Sequence, residues 1–168
     1  MAESKGGAGV HIRPARPDDA EGICRAHHGA VEALAGGHYQ EEVLQAWAGN
    51  VTVEAINNGL KQAEIIFLVA ESLGEIAGFG VLGGGYIRAV YVHPAHQRKG
   101  IGSLILGQLE AQARALGTIA LRLDASLNAE PFYRSHGYRV LKKAVFKLNQ
   151  DTGMDSLVME KRLGGDGC

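Results

Sequence analysis

The sequence predicts an α/β fold of about seven strands interleaved with helices in one domain. Three observations carry this. Residues 65–92 read as three consecutive strands joined by Leu73-Gly74 and Gly83-Gly84-Gly85, a meander. Residues 87–102 pass from an apolar strand, through a turn marked by Pro94, into a glycine-flanked helix start. Residues 119–124 then alternate apolar Ile119, Leu121 and Leu123 with Ala120, Arg122 and Asp124, the period of a further strand.

The remaining elements follow in order. Residues 10–13 form a first strand. Pro17, followed by Asp18 and Asp19, is a helix-start signal with acids in the first turn, and this helix is expected to run to about residue 35. Gly36-Gly37 breaks it. Residues 41–48 make a second short helix with Val43, Leu44 and Trp47 on one face, and Thr52 caps a third to about residue 62. The apolar run 65–72 suits a buried strand, and residues 75–82 and 86–92 complete the meander. From Gly100 an amphipathic helix carries Ile101, Leu104, Ile105, Leu109 and Leu116, and Gly117 stops it. A short helix over 129–135 ends at Gly137. Residues 138–148 and 157–163 are expected to be two closing strands, with a polar connection over 149–155. No repeat, linker or low-complexity block interrupts the chain. One domain is therefore expected over 10–163, with flexible tails at 1–9 and 164–168.

Composition narrows the function. A net charge of −1 gives no general attraction to nucleic acid or to an anionic membrane. No apolar run approaches the ~20 residues of a membrane helix, and the polar start has no signal-like apolar stretch. Cys24 and Cys168 are the two cysteines, which argues against a structural disulfide and for a cytoplasmic setting. His27-His28 and His93-x-x-His96 lack the neighbouring cysteines or acids of a metal site, so no metal is expected. Gly78-Phe79-Gly80-Val81-Leu82-Gly83 matches Gly-x-Gly-x-x-Gly but opens no helix, which removes the dinucleotide reading. Asn50-Val51-Thr52 is a glycosylation pattern by chance, and Lys142, Lys143 and Lys147 form a solvated strand face.

The most informative stretch is 91–102, Tyr-Val-His-Pro-Ala-His-Gln-Arg-Lys-Gly-Ile-Gly. Gly100 and Gly102 lack a Cβ and let a ligand approach the backbone. The helix start leaves N–H groups unpaired and favours negative charge, to which Arg98 and Lys99 add two cations. Such a start suits a phosphate or pyrophosphate, and it is not a Walker A loop. The residues Gln97 to Gly102 resemble the Gln/Arg-x-x-Gly-x-Gly/Ala signature of the GNAT superfamily, the acetyl-CoA-dependent N-acetyltransferases. The element order matches that family over about residues 10–163.

The resemblance implies a mixed, mostly antiparallel central sheet flanked by helices, with strands 86–92 and 119–124 splayed apart. It implies acetyl-CoA as cosubstrate, its pyrophosphate held at Gln97, Arg98, Lys99, Gly100, Ile101, Gly102 and Ser103. It assigns the backbone of Val90, Tyr91 and Val92 to the thioester carbonyl and the pantetheine arm. Tyr133, in the stretch Asn128 to Tyr138, takes the family's role of general acid to the departing thiolate. A thiol near ~8.5 and a phenol near ~10 make that transfer only mildly uphill. Core packing is the alternative for Tyr133. The family's pantetheine-binding Asn position falls on Ser126, and Asn128 lies two residues on; either could bond the arm, and Asn128 could equally be a helix cap. The sequence departs from the family at Tyr86, where many members carry a basic-catalyst Glu; residues 83–92 contain no acid. His38, Glu71 and Asp124 are the candidate bases, His38 foremost because it follows the first helix, near the family's acceptor pocket, and has a suitable pKa. Trp47 packs its helix or walls that pocket. The implied activity is acetyl transfer to a small-molecule or peptide amine by direct attack. A non-catalytic acyl-CoA-binding or sensing module on the same fold is the alternative. Family members are often dimers, so a homodimer is one expected state.

Overall fold

A computed structural model of the protein describes residues 4–6 and 9–164. The expected tails fall largely outside the described residues, as does Cys168. Within the first tail, however, Ser4–Gly6 forms strand β1, paired antiparallel with β2 (Val10–Pro14). Main-chain pairing requires no side-chain pattern, so this polar segment carried no strand signal.

The chain continues through a 3-10 turn (Pro17–Asp19), α1 (Ala20–Glu32), α2 (Glu41–Ala48) and α3 (Val53–Leu60). The meander follows as β3 (Ile66–Ser72), β4 (Glu75–Gly83) and β5 (Tyr86–Val92). Then come α4 (Ile101–Ala115), β6 (Ala120–Ser126), α5 (Glu130–Ser135), β7 (Arg139–Lys147) and β8 (Gly153–Arg162). One sheet holds all eight strands in the order β1-β2-β3-β4-β5-β6-β8-β7. Every pairing is antiparallel except β5 with β6, so the sheet is mixed and mostly antiparallel, as expected.

Alternation along the strands sends residues to two cores. Leu68 and Ala70 of β3 pack with Ile101, Ile105 and Leu109 of α4 on one face; Val69 packs with Ile23 and Ala26 of α1 on the other. Gly78 and Gly80 bring α4 close to the sheet: a Cβ on Gly80 would lie 2.5 Å from Ile105 Cγ2. This packing explains the glycine-rich pattern that mimics a dinucleotide motif. A buried cluster joins β2, the first turn and β3. Arg13 donates to Asp19 at 2.8 and 2.9 Å and to Glu71 at 2.7 Å.

Two boundaries differ from expectation. The first helix ends at Glu32 rather than near 35, passing into tight turns in which Leu34 N–H bonds Val31 O. The last strand begins at Gly153, not 157. The side chain of Asn149 accepts from the N–H groups of Asp151 and Thr152, which compacts the polar connection into a short turn.

Candidate active site between β5 and β6

The parallel ladder between β5 and β6 is two residues long. Tyr86 pairs with Arg122 and Ile87 with Leu123, and beyond them the strands diverge. A β-bulge at this point of β5 places Arg88 outside the register with β4. The gap opens into a cleft of about 470 Å³ that includes Tyr86, Arg88, Val90, Tyr91, Asp124 and Tyr133 in its walls.

The edge of β5 facing this cleft has polar backbone. His93 N–H bonds Ala77 O on β4, and Tyr91 lies opposite Phe79 in the same register. Alternation therefore turns Tyr91 N–H toward β4 and aims the N–H and C=O groups of Val90 and Val92 at the open edge. Of the three expected backbone donors, Val90 and Val92 point away from β4, Val90 into the cleft itself, and Tyr91 is committed to the ladder. Gln97 Nε2 donates to Val92 O at 3.4 Å, which ties the following loop to this edge.

That loop bends through two left-handed residues, Arg98 (φ 64°) and Gly100 (φ 75°). Gly100 tolerates this conformation; for Arg98 it is uncommon, and such outliers gather at ligand clamps. Gly100 is the N-cap of α4 and no side chain caps the helix, so the first N–H groups remain available. Arg98, Lys99 and Ser103 are exposed around them, while the Ile101 side chain is in the core and offers only its backbone. Gly102 adds a constraint beyond the expected one: a Cβ there would stand 3.3 Å from the Phe132 ring, so the missing side chain serves packing of α4 against α5. Ser103 is also held at 2.9 Å from His136 Nε2, while His136 Nδ1 faces Phe132 O at 2.8 Å. The carbonyl fixes a proton on Nδ1, so Nε2 accepts from the serine. Sequence reading missed this pair, which is thirty-three positions apart and has no local signature.

Tyr133 is 7% exposed on α5, and its hydroxyl makes no hydrogen bond among the described residues. Burial pushes its phenol well above the ordinary tyrosine value, with a smaller contribution from Tyr91. Tyr91 itself is pushed up to about 12 by burial, against a bond of 3.0 Å that its hydroxyl accepts from Trp47 Nε1. Trp47 thus both packs α2 and walls the cleft. Tyr39 backs it edge-on at 5.8 Å; its hydroxyl donates to Asp155 O and accepts from Leu127 N–H.

The candidate bases separate. Asp124 lines the cleft, its carboxyl lifted by partial burial against the nearby Lys142 charge. Burial and the Asp124 carboxylate together push Tyr86 up. Glu71 is bound to Arg13, away from the cleft. His38 is exposed and borders a second cavity of about 270 Å³, shared with Tyr39 and Asn128. The structure therefore does not bring His38 or Asn128 to Tyr133, whereas Ser126 does line the main cleft. Sequence reading also missed Arg88, Phe146, Met154 and Ser156 of the wall. The last two were hidden because β8 starts in a stretch that reads as polar.

Among the described residues no cluster of His, Cys, Asp or Glu could hold a metal, and no helix is long and apolar enough to cross a membrane. The family model described as Acetyltransferase (GNAT) domain matches residues 36–163. An uncharacterized N-acetyltransferase of Escherichia coli, YafP, is 28% identical over 134 residues, covering 80% of this chain and 84% of its own. The crystal structure of a GCN5-related N-acetyltransferase from Rhodopseudomonas palustris superposes with a TM-score of 0.82 at 28% identity, covering 96% of this chain and 98% of the other. The PaiA N-acetyltransferase of Thermoplasma acidophilum, solved in complex with coenzyme A, shares the fold with a TM-score of 0.77 at 22% identity, over 92% and 99% of the two chains. With the splayed strands, the uncapped helix and a family match over most of its length, the chain belongs to the GNAT family of acetyltransferases.

Proposed function

We propose that the protein transfers an acetyl group from acetyl-CoA to an amine by direct attack. The observation that carries this reading is the β5–β6 splay, which leaves the Val90 backbone groups without a sheet partner in the cleft that Tyr133 also lines. Polar backbone at a cleft wall requires partners, and an amide-bearing arm provides donors and acceptors in kind. The uncapped start of α4, with Arg98 and Lys99, fits a pyrophosphate at the end of that arm. The PaiA protein, solved with coenzyme A, has this fold. When bound, the cosubstrate supplies an acetyl group activated as a thioester.

The chain's own residues then divide the work. Val90 N–H donates to the acetyl carbonyl oxygen and favours negative charge there. Tyr133 holds its proton at Oη throughout the physiological range, since burial raises its pKa; that makes it a weaker acid, but the same burial disfavours a thiolate beside it, so the proton passes to the sulfur as negative charge develops there. A lysine-like amine with a pKa of about 10.4 is neutral in about one molecule in 2,500 at pH 7, so a proton acceptor is needed. Asp124 supplies the carboxylate that β5 lacks. It stands on β6 next to the residue paired with Ile87, beside Tyr86, and accepts the amine proton through water. Overall, the acceptor nitrogen replaces sulfur on the acetyl carbon and loses two protons: one reaches solvent through Asp124, and the other restores Tyr133, whose proton has left with the sulfur.

The test is a broad amine panel with acetyl-CoA, monitoring free thiol and acetylated product. Stoichiometric thiol and acetyl-amine formation is expected. Tight coenzyme A binding without thiol release for any amine would replace this reading by a sensing module.

A further inference from the structure

Arg88 and Asp124 are the charged residues lining the cleft, and they stand at neighbouring positions. Ile87 pairs with Leu123, so the next residue on each strand, Arg88 and Asp124, lies side by side where the ladder ends. They form no ion pair, and Arg88 has no ion pair or hydrogen bond with any described residue. Arg88 is exposed and its guanidinium lies over Gly83, opposite Tyr86 at the hairpin end of the cleft. The bulge at β5 releases Arg88 from the strand register, and Gly83 leaves room for its side chain, since a Cβ on Gly83 would lie 3.1 Å from Arg88 Nε. Two residues further along β5, roughly 6–7 Å at strand rise, comes the open Val90 N–H.

Strand alternation also fixes what surrounds this cation. Leu123 and Ala125 face the α4 core, so Asp124 and Ser126 project to the opposite side, with Ser156 of β8, which is registered against Ser126. Tyr91, Trp47, Met154 and Phe146 complete that side of the cleft. Ser156 is 3% exposed and its Oγ has no partner, an orphan polar atom in the cleft wall. Phe146, at the rim, is 42% exposed, an apolar ring left uncovered. The wall thus offers one exposed, unpaired cation, one carboxylate, one orphan hydroxyl and a mostly aromatic surface.

We infer that the acceptor is a free amino acid with an apolar side chain, its carboxylate held by Arg88 and its side chain against Trp47, Tyr91 and Phe146. The inference rests on the acetyl-transfer reading above. A guanidinium reads a carboxylate through two parallel bonds, which neither a simple amine nor a peptide amino terminus provides. With Arg88, exposed and unpaired, turned from Gly83 toward Val90, the carbon bearing both charged groups lies between the guanidinium and the Val90 edge, where the amine must stand for attack. Asp124 is then free for the proton and need not be the anchor. An aliphatic or aromatic side chain covers Phe146 and the apolar wall, which a sugar-like polyamine would leave wet.

The experiment compares L-leucine, L-methionine and L-phenylalanine with their decarboxylated amines and their amides, by thiol release from acetyl-CoA. In parallel, calorimetry measures L-leucine binding to protein saturated with coenzyme A. We expect kcat/KM for the amino acids to exceed that of the matching amines and amides by about 10- to 100-fold, the worth of a charge-assisted pair. Arg88→Gln is expected to bring the ratio to about one and to abolish leucine binding, and Arg88→Lys to restore part of it. Equal or better turnover of the decarboxylated amines, or a ratio that survives Arg88→Gln, overturns the inference while acetyl transfer stands. Leucine binding through Arg88 without thiol release from any amine leaves the acceptor site standing and removes acetyl transfer. Absence of both overturns the inference.

Discussion

At the residue scale, the cleft separates groups that hold a proton from groups that lose one. Tyr133 remains a neutral donor because burial opposes its ionisation. Its hydroxyl bonds no described residue, so Tyr133→Phe leaves no orphaned partner in the fold. This variant is expected to lower kcat by about 10²- to 10⁴-fold, with the melting temperature and coenzyme A affinity little changed. Single-turnover thiol release and calorimetry check both halves; a wild-type kcat would return Tyr133 to core packing. Asp124 must be ionised to accept a proton. Burial lifts its folded pKa, so kcat/KM should rise with pH through a limb above the ordinary carboxylate value of about 3.9. Asp124→Asn should remove that limb, and His38→Ala should leave it in place, because His38 borders a different cavity. A limb that vanishes in His38→Ala would show that the loop reaches the cleft in solution.

At the level of elements, α4 serves the core and, in the proposed reading, the ligand. Its buried stripe, Ile101, Ile105 and Leu109, fixes it on the sheet, and its uncapped start faces solvent with Arg98 and Lys99. The cleanest probe is the charge reversal Arg98→Glu with Lys99→Glu, since both side chains are exposed and carry no core contact. Coenzyme A affinity is expected to fall by roughly tenfold or more at low salt, and less at high salt, because exposed charges are screened. Pantetheine, which lacks the pyrophosphate, should bind both proteins alike. Equal losses for the two ligands in calorimetry would reject the pyrophosphate assignment. Gly102→Val is a poorer probe, because its Cβ presses on Phe132, the neighbour of Tyr133, and so mixes binding with packing.

Across the whole molecule, pH enters stability through a buried histidine. His27 is 1% exposed beneath the edge of the Tyr91 ring, 4.6 Å between centroids. Burial, helped by nearby His28, pushes its pKa down to about 4 from an ordinary 6.5. Between these values the unfolded chain binds the proton and the folded chain does not, so folding stability rises with pH across that window. The contribution is fully present above about 6.5 and is lost as pH falls toward 4, amounting to about 3 kcal/mol at most. Asp19 acts lower on the scale. Burial would raise it, but bonds from Arg13 and the Arg16 N–H outweigh this and hold it below the usual carboxylate value, so its contribution is lost only in stronger acid. Urea unfolding from pH 4 to 7.5 should show the upper slope, and His27→Gln should flatten it. An unchanged slope in that variant would assign the dependence elsewhere.

The local pattern alone determined the element order, the meander, the helix start at Gly100 and the Tyr133 stretch. Apolar periodicity, Pro and Gly positions and caps act over a few residues and are written along the chain; Thr52, for example, accepts from Ala55 N–H as expected of a cap. What lay beyond such patterns was decided by pairing between distant strands. The Ser4–Gly6 strand exists through its partner β2, and β8 begins early because Asn149 closes the turn before it. The cleft is of the same kind. That Val90 rather than Tyr91 turns its N–H from the ladder, that Asp124 lines the cleft, and that Arg88 stands unpaired beside it all follow from where the β5–β6 ladder stops. Register is a property of two segments brought together by folding, and one-dimensional periodicity carries no record of it.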